Sequence, residues 1–204
     1  MLFRTALGLV VGLLLSVNLM ASMPILKGIG GDFSLQSSLG KQVSLSDYRG
    51  QVVLMFFGYT NCADICPTTM AHMSQLMDRL TPEQAQQVQV LFVSIDGDND
   101  TPGHLNNYLA YFNPTFVGLV DERHKIDAVA AQYHAQYEKL AEGLVTTVYK
   151  KLTLTGEPTE QRGYLYSHTA KIYVMGTQGR VRGYFYMGTP HDEMHTQIKL
   201  LLQE

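Results

Sequence analysis

Val52–Met70 reads VVLMFFGYTNCADICPTTM. Val52–Phe57 is an unbroken apolar run of strand length, closed by Gly58-Tyr59-Thr60-Asn61, and suits a strand buried on both faces. Pro67 fits a helix only in its first turn, where its missing N–H costs nothing. Beyond it Met73, Leu76, Met77 and Leu80 recur at i, i+3, i+4 and i+7, the apolar stripe of a packed helix. Cys62 and Cys66 therefore fall between a strand end and a helix N-terminus, where unpaired N–H groups favour a thiolate. They are the two cysteines of a 204-residue chain. If the first turn is helical, a separation of four brings both sulfurs to one face. Such a pair can close a disulfide, work as a redox couple or hold one soft ion; the bland alternative is two inert or purely structural thiols.

Upstream, Met1–Met23 carries one charge, Arg4, followed by the wholly apolar Ala6–Leu15. That is the pattern of a targeting segment and not of a folded element. The apolar stretch to Met23, interrupted by Ser16 and Asn18, lies near the lower length for crossing a bilayer, so a cleaved leader and a membrane anchor both remain open. Ala21 and Ser22 suit a cleavage site, whereas Leu19 at the −3 position of a cut after Ala21 does not. No cysteine lies nearby to take a lipid anchor. Residues 28–204 are expected to form one exported domain, periplasmic, either soluble or tethered to the inner membrane through residues 1–23. In an oxidising compartment a close cysteine pair is oxidised unless something keeps it reduced. The formal net charge of −3 is small and dispersed, which argues against nucleic acid or anionic lipid as a partner and leaves membrane contact to the N-terminal segment alone.

Working outward in the other direction, Phe33–Leu45 alternates around Ser38-Leu39-Gly40 and predicts a hairpin. Val88–Ile95 reads as a second buried strand. Asp100-Thr101-Pro102 predicts a cap and an N1 proline for a helix carrying Leu105, Tyr108, Leu109 and Phe112. Phe116–Val120 is a third strand, after which Asp121 is expected to cap a helix with Ile126, Val129, Ala130 and Tyr133. Ala170–Met175 and Val181–Tyr186 flank Gly176-Thr177-Gln178-Gly179 as a late hairpin, and Met194, Ile198, Leu201 and Leu202 mark a last helix. Alternating strands and helices imply an α/β fold, with a sheet covered on both faces and an antiparallel hairpin at its end. With a cysteine pair after the first buried strand, the plan is thioredoxin-like, with an N-terminal β-hairpin and an insertion, His134–Ser167, before the last hairpin. A connection that long is commonly functional, and it is expected to fold near the cysteines, with a β-prone stretch at Val145–Thr155.

Three segments in this order, FFGYTNCADICPTTM, VSIDGDNDTP and YSHTAKIYVMGTQGRV, resemble the Sco/SenC family of copper-binding, thioredoxin-fold proteins. The resemblance runs from about Gly31 to the C-terminus. It implies a membrane-tethered or periplasmic protein that helps to metallate the dinuclear copper site of cytochrome c oxidase. Its copper ligands would be Cys62, Cys66 and His168, for one copper per monomer, as Cu(I), Cu(II) or both. The implied partner is the oxidase copper subunit or another copper or thiol protein. Two positions depart from the family pattern: Ala63 stands where proline is common, and Ser167 where an acidic residue commonly precedes the histidine and could orient or charge-compensate it.

Two thiolates and an imidazole suit copper on chemical grounds as well. Three ligands leave an open side for hand-over, whereas a structural zinc site takes four. The readings in competition are a copper chaperone without turnover and a thiol–disulfide oxidoreductase using Cys62 and Cys66 as a redox-active disulfide, with a membrane-linked copper or redox sensor as a weaker third. Redox enzymes of this plan generally use C-x-x-C, one residue shorter than the spacing here. Elsewhere, His72 shares a helical face with Gln75 and Arg79 and is expected to be solvated. His191 and His195 stand at i, i+4 without the following glutamate of a zinc-protease helix. Met70, Met73 and Met77 have core spacing, and Tyr164 and Tyr166 could line a docking surface. Asp96, at the carboxyl end of a strand, is a possible supporting group near the copper or the partner.

Overall fold

A computed structural model describes residues 21–140 and 166–204. The expected targeting segment, up to residue 20, and the expected β-prone stretch Val145–Thr155 lie outside the described residues, as does Tyr164. Among the described residues no helix is long and apolar enough to cross a membrane.

The strands are β1 (Ser34–Ser37), β2 (Gln42–Ser44), β3 (Val52–Gly58), β4 (Val88–Ser94), β5 (Val117–Val120), β6 (Tyr137–Lys139), β7 (Tyr166–His168), β8 (Lys171–Met175) and β9 (Val181–Tyr186). The helices are α1 (Ile65–Met77), α2 (Pro82–Ala85), α3 (Pro102–Ala110), α4 (Arg123–Gln132) and α5 (His191–Leu201). Seven strands form one sheet in the order β2-β1-β5-β4-β3-β8-β9. The central β5-β4-β3 part is parallel, and the hairpins at either side are antiparallel. This is the thioredoxin-like α/β plan.

β3 lies inside the sheet between β4 and β8, every residue buried, because its neighbours in the sheet and the helices above and below leave no solvated face. Its successive side chains point to opposite faces. Phe56 meets Phe92, which meets Tyr108 of α3; Phe57 meets Tyr133 at the end of α4 and Tyr173 of β8. The stripe Met73, Leu76, Met77 and Leu80 is buried as its spacing predicts, as is Met70, so these methionines are core.

Two caps differ from expectation. Thr101 caps α3, its Oγ1 accepting from the His104 N–H (3.2 Å), while Asp100 turns inward and is buried. The hydroxyl one position closer to Pro102 reaches the first-turn N–H, which leaves the carboxylate for another task. Glu122 occupies the N-cap of α4, and Asp121 ties the helix start to β1 by accepting from the Gln36 N–H (3.2 Å).

Residues 22–26, ahead of the domain start expected at 28, lie along the outer edge of the sheet. The Leu26 N–H donates to the Val181 carbonyl of β9 (2.9 Å). The nearly buried Arg182 guanidinium donates to the Met23 carbonyl and to the Glu204 carboxylate.

Candidate metal centre

The parallel pairing of β3 with β4 ends at Gly58 and Ser94. There the chain leaves the sheet in a turn, closed by the Cys62 N–H donating to the Tyr59 carbonyl (3.3 Å). α1 begins only at Ile65, after Asp64. Cys66 is therefore the second helical residue and fully buried, whereas Cys62 lies ahead of the helix and is half-buried. The sulfurs converge through the turn, not by sharing a helical face as the spacing suggested.

The third donor comes from far along the chain. β7 pairs with β6 as a separate two-stranded ribbon, with Tyr137 opposite His168. These are the two described ends of the expected insertion. His168 Nε2 stands 3.4 Å from Cys66 Sγ, and the donor atoms of Cys62, Cys66 and His168 all lie within 4.8 Å of one another. Among the described residues this is the one group of three or more potential metal-binding side chains so placed. Both cysteines are free thiols.

The imidazole is held on two sides. Its Nδ1 lies 3.3 Å from the Thr169 carbonyl. A carbonyl only accepts, so Nδ1 carries the proton of the neutral ring and Nε2 turns its lone pair towards the sulfurs. Phe56 and Tyr59 pack edge-on against the ring at 5.7 and 6.1 Å. Ser167, where an acidic residue would have been available, is exposed; a backbone carbonyl supplies the orientation. An open cleft of about 390 Å³ lies beside the ring, lined by Gln136, Tyr137, Glu138, Ser167, His168 and Thr169.

The two thiols are electrostatically unlike. A hydrogen bond from the Cys66 side chain, joined by others from the Asp64 and Cys66 backbone, outweighs partial burial and pulls Cys62 down to about 4. Burial pushes Cys66 up, reinforced by its hydrogen bond to Cys62 and by the negative charge there. The opposite shifts favour one thiolate, at Cys62, and one thiol, at Cys66, in the reduced pair. The thiolate sits on the accessible residue, where reactivity requires it.

Asp96 lies at the carboxyl end of β4 and is buried, accepting from Asn99 Nδ2 (2.9 Å) and from the Tyr166 hydroxyl (3.4 Å). Tyr166 is buried too, its N–H donating to the Tyr59 hydroxyl, so it packs beneath the site instead of lining a docking surface. His72 is half-buried instead of solvated: it stacks on His191 at 4.1 Å, its ring bonds the Thr189 carbonyl ahead of α5, and the His191 ring bonds the His72 carbonyl. That contact separates His191 from His195, which bonds Gln84.

Sequence reasoning passed over Thr60 and Ser94. Thr60 donates to Asp100 through its N–H (3.1 Å) and its hydroxyl (2.5 Å), and Ser94 donates to the same carboxylate (2.6 Å). The visible signal was two acids four apart in VSIDGDNDTP, at a strand end facing the cysteine turn.

Comparison with known proteins gives consistent relatives. The model of the SCO1/SenC family matches residues 23–203. The human "Protein SCO1 homolog, mitochondrial" is 32% identical over 158 residues, 77% of this chain and 47% of that protein. The chain thus spans about half the length of that curated relative. The structure of ScoI from Bradyrhizobium japonicum with copper bound is 32% identical, with a TM-score of 0.69, covering 84% of this chain and 98% of that one. The crystal structure of ScoI from Arabidopsis thaliana with copper bound is 25% identical, with a TM-score of 0.70, covering 86% and 99%.

Proposed function

The chain belongs to the SCO1/SenC family, and from that premise we propose that it is a copper carrier whose cargo is held by Cys62, Cys66 and His168. The observation that carries the reading is the convergence of two sulfurs and the Nε2 of a carbonyl-oriented imidazole within 4.8 Å. The donor chemistry fits the cargo: thiolates favour Cu(I), and the imidazole admits Cu(II). Three donors leave a side open, and Cys62, the half-exposed thiolate, is the ligand an acceptor's thiolate or imidazole would displace first. The copper-bound state of the Bradyrhizobium and Arabidopsis relatives supports copper over other soft ions. The role extends to delivering copper to the dinuclear site of cytochrome c oxidase, or to another copper or thiol protein. The setting is an exported one, periplasmic, with residues 1–23 as leader or anchor.

The test is an anaerobic Cu(I) titration of the reduced protein beside Cys62→Ser, Cys66→Ser and His168→Ala. One tight copper per chain is expected for the parent. Each variant should lose more than the roughly 10–100-fold that removal of a mere supporting residue costs a metal site. Unchanged affinity in His168→Ala would remove the three-donor site.

A second reading has its own observation. A half-exposed thiolate beside a buried thiol is the arrangement of a redox couple that attacks a partner disulfide and then resolves the mixed disulfide. In that role Cys62 and Cys66 are both required and His168 is dispensable. Reduction of a partner disulfide by the His168→Ala variant at the parent rate, without tight copper binding in either, would favour it.

A further inference from the structure

Asp100 is buried to 1% exposure, and a buried carboxylate is costly unless its charge is met. The bland explanations do not account for it. Thr101 already caps α3. The basic side chain in reach among the described residues is that of His104, whose Nδ1 lies 3.9 Å away on a side chain 54% exposed. What the carboxylate holds is the turn ahead of the cysteines. Past Gly58 the ladder between β3 and β4 has ended, so the Thr60 N–H has no strand partner. Asp100 takes that N–H and the Thr60 hydroxyl from one side and the Ser94 hydroxyl, at the end of β4, from the other. Because the Cys62 N–H closes the same turn onto Tyr59, fixing Thr60 fixes the direction in which Cys62 leaves it.

We infer that Asp100 is a positioning residue for Cys62, its buried carboxylate holding the turn at Thr60 so that the Cys62 sulfur stands beside Cys66 and His168. The consequence for metal rests on the copper reading above; the consequence for the thiol pair does not. Releasing the turn lets Cys62 swing away, which lowers its effective concentration towards both the metal and Cys66.

Two readouts separate the failures. The first is metal-free: the equilibrium with glutathione, in which the two thiols give two electrons and two protons to oxidised glutathione, forming the Cys62–Cys66 disulfide and two reduced glutathiones. The second is competition for Cu(I) against a chelator. Thr60→Val keeps the side-chain shape and removes the hydroxyl; Asp100→Asn keeps the shape and removes the charge. Both are expected to make disulfide closure several-fold less favourable and to weaken copper binding on the order of tenfold, the scale of a lost supporting contact. Thr60→Ser restores both. Ser74→Ala, which removes a bond to the Phe112 carbonyl remote from the cysteines, lowers the melting temperature without moving the thiol equilibrium. Parent-like behaviour of Thr60→Val and Asp100→Asn in both readouts overturns the inference, as does an equal shift in Ser74→Ala. If the parent itself takes no copper, the carrier reading falls, and the glutathione result still decides the role of Asp100.

Discussion

Cys62 and Cys66 lie four positions apart and differ in everything that governs a thiol. Cys66 is sealed under the start of α1, with Cys62 and His168 as its polar neighbours; Cys62 is half open and carries the charge. Iodoacetamide should therefore label Cys62 and spare Cys66 in the metal-free protein. The labelled state requires the thiolate, so an ordinary thiol with its value at 9.0 would react slowly below neutrality, whereas Cys62 should react down to pH 5 and slow only as the pH approaches about 4. Mass spectrometry of a pH series reads both points; comparable labelling of the two residues, or a midpoint near 9, would contradict the assignment. That these two sulfurs meet His168 is legible in the sequence, because strand, turn and helix start are local patterns and the Tyr-Ser-His-Thr segment resembles a known family. The groups that steer the donors are not. A backbone carbonyl such as that of Thr169 has no letter of its own. Asp100 reads as a cap because it stands beside Thr101, and only the tertiary position of the turn shows which of the two faces inward.

At the scale of elements, α1 carries Cys66 and is fastened at its middle to the start of α5. His72 and His191 stack, each ring donating to a carbonyl across the gap, and Arg79, about two turns further along, bonds Asp192. Burial, with His191 adjacent, lowers the His72 value from its ordinary 6.5. The folded state then binds that proton less readily than the unfolded chain does. The contribution to stability is full above about pH 6.5 and is lost as the pH falls from there through the lowered value. The melting temperature should drop across that window, and His72→Gln should flatten the drop; parallel slopes for parent and variant would take the clasp out of the account. The long strands and the stripe of α1 are readable because their periods of 2 and 3.6 repeat often enough to stand out. The ribbon of β6 and β7 is three residues a strand and pairs across a long separation, so no local period announces it. His72 looks solvated by its helical neighbours Gln75 and Arg79 because the partner that covers it arrives some 119 residues later.

At the scale of the whole molecule, both ends of the domain are gathered at the outer edge of the sheet, where Arg182 holds the Met23 carbonyl and the Glu204 carboxylate together. Arg182 draws Glu204 down to about 2, so this closure is intact throughout the neutral range. Arg182→Met keeps the bulk of the stem and leaves both acceptors unmet. The expected cost is about 2 kcal/mol, a fall in melting temperature of roughly 4–8 °C for a domain this size. The metal site at the far end of β3 should keep its copper affinity, and a melting curve beside a copper competition measures the two separately; loss of copper binding without a change in melting temperature would contradict this division. The separation of 102 residues between Cys66 and His168 also sets an order of events in the life of the chain. A polypeptide still emerging or unfolded carries its two thiols close together, but the His168 imidazole is brought beside them only by the tertiary fold. Such a precursor offers an ion only half a grip and is open to being oxidised first. Convergence of all three donors is thus a property of the finished fold, and a chain short of it presents the thiols without their third companion.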